Sequence, residues 1–572
     1  MNNNGNSNKN ADVNEKFASY KETFIDKLWQ LNPSFATEEG FHNYDSTIDI
    51  PSQEVMQQKL SIYKILQDSL HKFELQKLSD NNKTDFYLIE NFFNSSKWYA
   101  DTFKQWQWDP SGYNVGEGFD LIASRKDIPL NEKLIIISKR LAHVPAYFEA
   151  ARENISNPTD IHTDLAINQN KGSIDVFNSI ADSVKTSTLA GDDKKNLQTN
   201  LNNAIAAVNG YITFLTDTVK ADFKKNPPRS FRIGKELYER KFNYDIQSKY
   251  TAEEIYKIAE QHKNLLHQQM YELSTKLWSK YMGNAPQPKD SLALVQSVID
   301  KIALNHCKKD SFVATIKRDI PNITKFINDH HLVYMDPKKP LVVRKTPDYM
   351  EGGGTGASIN APGPYDKYAN TFYNVSPPTH LSDADAESFL REYNYYTLQI
   401  LSIHEALPGH YVQLMHANMQ PSIIKNVFGN TAMVEGWAVY GERMMIENGY
   451  GDNAPEMQLM YYKWNLRETL NTILDYSVHC LNMSEGDVMN LLMKEGFQEK
   501  TEATNKWKRV RQTQVQLDAY FTGSTEILAL REDYKKALGD KYNLYDFNNK
   551  FLSYGSVPVK YISQMMMAEL KK

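Results

Sequence analysis

The sequence predicts a mainly α fold with one small β-sheet around 341–376. Apolar residues recur at three- and four-residue spacings along most of the chain, Gly and Pro cluster in one stretch over 341–380, and no repeat of solenoid period is present. From the N-terminus, MNNNGNSNKNADVN is Asn-rich and apolar-poor, and reads as a flexible polar tether over 1–14. Phe17, Tyr20, Phe24, Leu28 and Leu31 then step by 3, 4, 4 and 3 until Asn32-Pro33 stops the helix. Further helices are expected near 52–78, 83–105, 130–152, 173–188 and 192–222. In the last, Leu197, Leu201, Ile205, Val208, Ile212 and Leu215 form one apolar stripe, interrupted by Asn202, Asn203 and Asn209, so it is amphipathic and no membrane span. Thr251-Ala-Glu-Glu254 matches a capping box and sets the start of 251–281, which 289–305 follows. Leu341-Val-Val, the run Glu351-Gly-Gly-Gly-Thr-Gly356 and Thr371-Phe-Tyr-Asn-Val375 read as short strands with glycine turns. The glycine run lacks the Lys-Ser/Thr of a phosphate loop and is expected to be a flexible turn or lid. Helices near 382–418, 431–448, 456–482, 485–496, 501–520 and 524–538 complete the chain.

Composition removes several function classes. Lys plus Arg is 65 against 70 Asp plus Glu, a net charge of −5 over 572 residues, which leaves no footprint for nucleic acid. Only Cys307 and Cys480 are present, so a disulfide scaffold and a thiolate metal site are excluded, and a metal must sit on His, Asp or Glu. A polar tether before the first helix is what a lipid anchor on a removed N-terminal signal would leave. The expected location is therefore the cell envelope or periplasm as a lipoprotein, with the cytoplasm as the alternative.

The chemistry concentrates in His404-Glu405-Ala-Leu-Pro408-Gly409-His410-Tyr-Val-Gln413-Leu-Met-His416, which holds three of the chain's 14 histidines. Zinc peptidases place two His at i, i+4 on one helix face with a Glu aimed at the metal-bound water. Here the spacing is six, which on a straight helix separates the imidazoles by about 120° and about 9 Å. Pro408 and Gly409 predict a break that can swing His410 back towards His404. The alternative is a chance cluster on one helix face. Val434-Glu435-Gly436-Trp437 lies on the next helix, where a glutamate-zincin carries its third ligand. His404, His410 and Glu435 would thus hold one Zn2+ per chain, with Glu405 as general base and Glu442 hydrogen-bonding a ligand imidazole.

Together, His404-Glu-Ala-Leu-Pro-Gly-His410-Tyr-Val-Gln413 and Glu435-Gly-Trp-Ala-Val-Tyr-Gly-Glu442 resemble the bacterial family catalogued as domain of unknown function 885. The similarity extends over most of the chain, through Tyr250-Thr-Ala-Glu-Glu-Ile255, Phe372-Tyr-Asn374, Arg467 with Asp475 and His479, and Leu552-Ser-Tyr-Gly555-Ser-Val-Pro558. The resemblance implies a large helical metallopeptidase-like fold with a cleft, similar to the angiotensin-converting-enzyme, oligopeptidase and thermostable-carboxypeptidase group. It implies a catalytic unit over 15–572, with two lobes flanking the cleft as a finer division. The chain departs from the family where Gly and Pro are expected before a Gln and a Tyr: Gln516 and Tyr520 keep their spacing, but Val515 and Gln514 stand in place of Gly and Pro.

Hydrolysis of a peptide bond also needs a donor to the oxyanion, and His479 and Tyr520 are the candidates. Asp475 lies four residues before His479 and would fix its tautomer. Asn374, on the strand Thr371–Val375, would offer backbone groups to an extended substrate, and Arg467 and Arg511 would meet a substrate carboxylate. The expected function is zinc-dependent hydrolysis of short peptides. The alternative is a non-catalytic peptide-binding protein that keeps the fold, and retention of Glu405 weighs against it.

Overall fold

The computed structural model describes residues 4–339, 341–346, 356–366 and 370–571, with side chains from residue 12 onward. Among the described residues the fold is mainly α with one three-stranded sheet, as the sequence predicts. The chain forms two compact units, one of Met1–Phe231 with Pro362–Lys367 and one of Arg232–Ala361 with Tyr368–Lys572. No helix among the described residues is long and apolar enough to cross a membrane.

The first unit opens with α1 (Asn4–Leu31), which ends at the predicted Asn32-Pro33 stop and begins inside the segment expected to be a tether. Its core is built by α2 (Leu130–Leu141), α3 (Val144–Asn154), α4 (Asp160–Thr186) and α5 (Gly191–Thr213). Phe119, Leu134, Leu141, Phe148, Phe177 and Tyr211 are fully or nearly fully buried. The stripe on α5 and the turn after it faces this core, with Leu197, Leu201, Val208 and Leu215 buried and Ile205 and Ile212 packed at its edge. The helix expected over 130–152 is two, because Pro145 begins a new helix at its first turn.

The second unit is built on α6 (Lys235–Asp245) and the long α7 (Ala252–Met282), whose N-terminus carries the predicted capping box from Thr251 and Glu254. Its sheet comprises β1 (Leu341–Lys345), β2 (Ala357–Asn360) and β3 (Thr371–Val375) in the order β1-β3-β2. β3 pairs parallel with β1 and antiparallel with β2. It is therefore the central strand, and both of its backbone edges are occupied. That corrects the expectation that Asn374 offers strand addition to a substrate: the residue is fully buried and its Oδ1 accepts a hydrogen bond from Arg344 Nε at 2.6 Å. Most of the predicted glycine lid lies outside the described residues.

Two other expectations change. The helix predicted over 382–418 is three: Asp383–Glu392, α8 (Tyr395–Glu405) and α9 (His410–Ala417). Asn394 caps α8 by accepting from the N–H groups of Tyr396 and Thr397. After α10 (Thr431–Glu447) and α11 (Pro455–Cys480), α12 runs only over Lys500–Gln512, and α13 (Asp518–Leu538) already carries Tyr520 in its first turn. Helices over Phe312–Asp329, Leu544–Leu552 and Val559–Glu569 complete the picture, none of them anticipated.

Candidate metal centre

The break between α8 and α9 decides the site. Pro408 follows a cis peptide bond, and its carbonyl accepts the Trp437 indole N–H of α10 at 2.8 Å. Gly409 then packs so tightly on the end of α8 that a Cβ would sit 1.8 Å from the carbonyl oxygen of His404. Only glycine fits there. The fold-back brings the His404 and His410 rings to 4.8 Å between centroids at an interplanar angle of 86°. Glu435, in the second turn of α10, completes the group: its Oε2 is 3.5 Å from His404 Nε2 and 3.3 Å from His410 Nε2. The three ligating atoms lie within 4.8 Å of one another. Glu435 Oε2 is buried without a hydrogen-bond partner despite these two nitrogens, an arrangement that suits a shared cation.

Electrostatics point the same way. Burial opposes charge on His404, but the carboxylate of Glu435 beside Nε2 and that of Glu442, which accepts from Nδ1, outweigh it and raise its pKa well above the ordinary value. Burial pushes the Glu435 carboxyl up, and the charge of His410 together with the closeness of both imidazoles holds it below the usual carboxylate range. The site thus concentrates negative charge that a divalent cation would neutralise in place of a proton. The carboxylate of Glu405, the last residue of α8, makes no hydrogen bond among the described residues. Its pKa is raised by burial, which His410 and His404 only partly counter.

Behind His404 sits a buried support. Glu442 Oε1 accepts from His404 Nδ1 at 2.6 Å, which leaves Nε2 to face Glu435 and His410. Trp464 Nε1 donates to Glu442 Oε1 at 3.0 Å and to Glu468 Oε1 at 3.1 Å. Burial and then the charge of Glu442 push Glu468 well above the carboxylate range. His404, Glu442 and Glu468 also fall within ligand distance of one another, but the indole N–H already occupies both carboxylates, and the group reads as hydrogen-bonded support. Glu468 carried no signal in the sequence beyond lying on the same helix as other candidates. His416, the third histidine of the cluster, turns away and meets the Tyr334 carbonyl at 3.0 Å.

On the opposite face, the Tyr520 ring lies 6.2 Å from the His404 ring at 21°, nearly parallel. Two glycines allow this. α10 and α13 cross at Gly436 and Gly523, where a Cβ on Gly523 would lie 1.7 Å from the Ala432 carbonyl oxygen and one on Gly436 would lie 2.4 Å from the Gly523 carbonyl carbon. The Tyr520 hydroxyl accepts from Arg509 Nη2 at 3.2 Å, and burial raises its pKa. It therefore keeps its own proton free to donate. The sequence singled out Arg511 and missed Arg509.

His479 and Asp475 do not join the ligand cluster, which corrects the expected role of His479 as oxyanion donor; the pair itself is present, with Asp475 Oδ1 3.6 Å from His479 Nε2. His479 Nε2 donates to the carbonyls of Val510 at 2.9 Å and Thr513 at 3.0 Å, and its ring stacks on Tyr238 at 5.9 Å. Asp475 Oδ2 accepts the Leu517 N–H at 3.1 Å. Both residues clasp the turn that joins α12 to α13, and hence position Arg509 relative to Tyr520. Val515 in that turn has φ 71°, the left-handed region that suits glycine, at the position where the family resemblance expects Gly. Arg467 is likewise reassigned: Nη2 lies 2.5 Å from Glu502 and Nη1 3.9 Å from Glu392, so its fork is already engaged. Arg511 stacks on Trp507 of its own helix, with its Cζ 4.9 Å from the ring centroid.

The Asp475–Asp518 pair gives a pH prediction. Both carboxylates are fully buried, and Tyr238 donates to Asp518 Oδ2 at 2.7 Å. Burial raises Asp475 to about 7 and lifts Asp518 well above its ordinary value. Folded-state pKa values above the unfolded ones mean the folded chain holds protons that the unfolded chain releases. The stability they confer is complete below about pH 4 and is lost as pH rises through about 7. In urea melts at pH 5 and pH 8, Asp518→Asn should lose less stability than wild type over this interval, by at least about 1 kcal/mol. Equal losses would contradict the reading.

A family model described as "Bacterial protein of unknown function (DUF885)" matches residues 33–566. No curated protein matches the chain. A solved structure of a candidate lipoprotein of unknown function from Shewanella oneidensis is 47% identical, covers 96% of this chain and 99% of its own, and superposes with a TM-score of 0.87. Another, of a candidate lipoprotein from Colwellia psychrerythraea, is 17% identical over 98% of this chain and 99% of its own, with a TM-score of 0.78, and shares the fold.

Proposed function

The chain belongs to the DUF885 family of bacterial proteins of unknown function, and from that premise we propose that it is a zinc-dependent hydrolase of amide bonds in short peptides, with a metallopeptidase-like site. The observation that carries the proposal is the convergence of His404 Nε2, His410 Nε2 and Glu435 Oε2 beside an unengaged carboxylate, Glu405. Two His and one Glu are the donor set of catalytic zinc, which leaves a position for water. Zinc held there supplies a Lewis acid and lowers the pKa of water.

The chain's own residues perform the proton work. Glu405, with its pKa raised by burial, takes a proton from the attacking water and returns one to the leaving nitrogen. Tyr520 accepts a hydrogen bond from Arg509 and so directs its O–H to the developing oxyanion. Glu442 fixes the tautomer of His404 through Nδ1. Relatives described as candidate lipoproteins support a lipid-anchored location in the cell envelope.

The proposal is tested by incubating the full chain with a mixed library of short peptides, before and after chelation and after zinc is restored. Cleavage that disappears with chelator and returns with zinc is expected. Cleavage that persists in the chelated protein, or none under any condition, would contradict it.

A further inference from the structure

Arg509 is the arginine that reaches the Tyr520 hydroxyl beside the metal group. It is half-buried at the end of α12, with Nη2 donating to Gln516 Oε1 at 2.7 Å and to the Tyr520 hydroxyl at 3.2 Å. Among the described residues, no carboxylate lies within ion-pair distance of it, and its Nε and Nη1 make no hydrogen bond. Three other arginines of this unit do have one: Arg467 has Glu502 at 2.5 Å, Arg391 has Glu499 at 3.1 Å and Arg531 has Glu447 at 2.8 Å, whereas Arg344 donates to the Asn374 amide and Arg511 to the Trp507 carbonyl. A guanidinium so enclosed normally pairs with a carboxylate, because its desolvation is otherwise unrepaid.

Its position indicates what would supply the missing partner. Tyr520 lies between Arg509 and the metal group, parallel to the His404 ring on one side and hydrogen-bonded to the guanidinium on the other. The turn that holds the pair is itself fixed by His479 and Asp475. One peptide residue spans about 3.5 Å when extended, so a chain whose scissile carbonyl lies at the metal group needs little further length to reach the guanidinium.

We propose that Arg509, oriented by its hydrogen bond to the Tyr520 hydroxyl, forms a subsite for a free carboxylate of the substrate, its C-terminal one, so that the protein removes residues from the C-terminus of short peptides. This rests on the hydrolase reading above. In the reaction the C–N bond breaks, water gives its hydroxyl to the acyl carbon and a proton to the leaving nitrogen, and no redox partner is required.

The test uses zinc-loaded full chain and three peptides of one sequence: the free acid, the C-terminal amide, and an amide carrying Glu at the last position. Wild type should cleave the free acid roughly 10- to 100-fold more efficiently than the plain amide, the range of a charge-assisted pair. Arg509→Gln should bring that ratio towards one, and Arg509→Lys should keep part of it. If the Glu-terminated amide matches the free acid, the carboxylate read is that of a side chain, and the C-terminal assignment is overturned. Equal rates for acid and amide in wild type, or an unchanged ratio in Arg509→Gln, would overturn the subsite. Binding separates this from a failure of the hydrolase reading. Calorimetric titration of Glu405→Gln should show the same acid-over-amide preference without turnover, and equal affinity there would overturn the subsite whether or not any peptide is cleaved. Circular dichroism melts identify any variant that fails to fold, and Arg509→Lys then carries the comparison.

Discussion

Replacing Glu405 by Gln should lower peptide hydrolysis by about 10²- to 10⁴-fold, the usual contribution of a general base, while zinc content and melting temperature stay at the wild-type level. The residue ends α8 immediately after the ligand His404, yet its carboxylate makes no hydrogen bond among the described residues and has neighbours that only partly offset its burial. Glutamine preserves size and polarity but cannot take a proton. A structural carboxylate at this place would give the opposite pattern, a change in melting with turnover intact. Kinetics with a cleaved library peptide and metal analysis of the same samples check both halves. Turnover within a few-fold of wild type would remove Glu405 from the mechanism.

The second large effect concerns backbone approach. Gly523→Ala should destabilise the protein by about 3 kcal/mol or more, or prevent its soluble expression, because its Cβ would lie 1.7 Å from the Ala432 carbonyl oxygen and the backbones of α10 and α13 have to separate. That separation also moves Tyr520, one turn earlier on α13, away from Glu435 on α10. Gly172→Ala is the control: it lies within α4, nothing is within 4 Å of its Cβ, and it should be neutral or stabilising by about 0.5–1 kcal/mol. Urea unfolding of both variants checks the pair. A Gly523→Ala protein as stable as wild type would show that the crossing is looser than the geometry requires.

Much of this architecture is legible in the chain. The stop at Asn32-Pro33, the capping box at Thr251 and the stripe on α5 are local features, set by backbone chemistry and apolar spacing, and the structure carries each one. The break between His404 and His410 is legible for the same reason, since Pro408 and Gly409 announce it. Features that depend on distant segments are harder to read. Phe312–Asp329 contains Pro321, which argues locally against a helix, yet Phe312, Ile316, Ile323 and Ile327 of that helix are buried. The end of α12 depends on a left-handed Val515 and on two side chains from α11, so the predicted helix runs through it.

The candidate site divides the same way. His404, His410, Glu435 and Glu442 come together because the Pro408-Gly409 break folds two short helices against each other beside α10. His479 and Asp475 share a helix with residues of the site, but this i, i+4 pair faces the turn and not the ligands. Arg509 escapes notice because an arginine on a polar helix reads as solvated; only the position of Tyr520 across the turn gives it meaning. The paired glycines at 436 and 523 look unremarkable until the helices that carry them are crossed.

Metal content per chain, measured by mass spectrometry on zinc-reconstituted, desalted wild type and on folded His410→Ala, tests the central claim most directly. About one zinc per wild-type chain and little or none in the variant is the result that the convergence of His404, His410 and Glu435 predicts. A wild-type chain that retains no zinc, or a variant that retains as much as wild type, would contradict it.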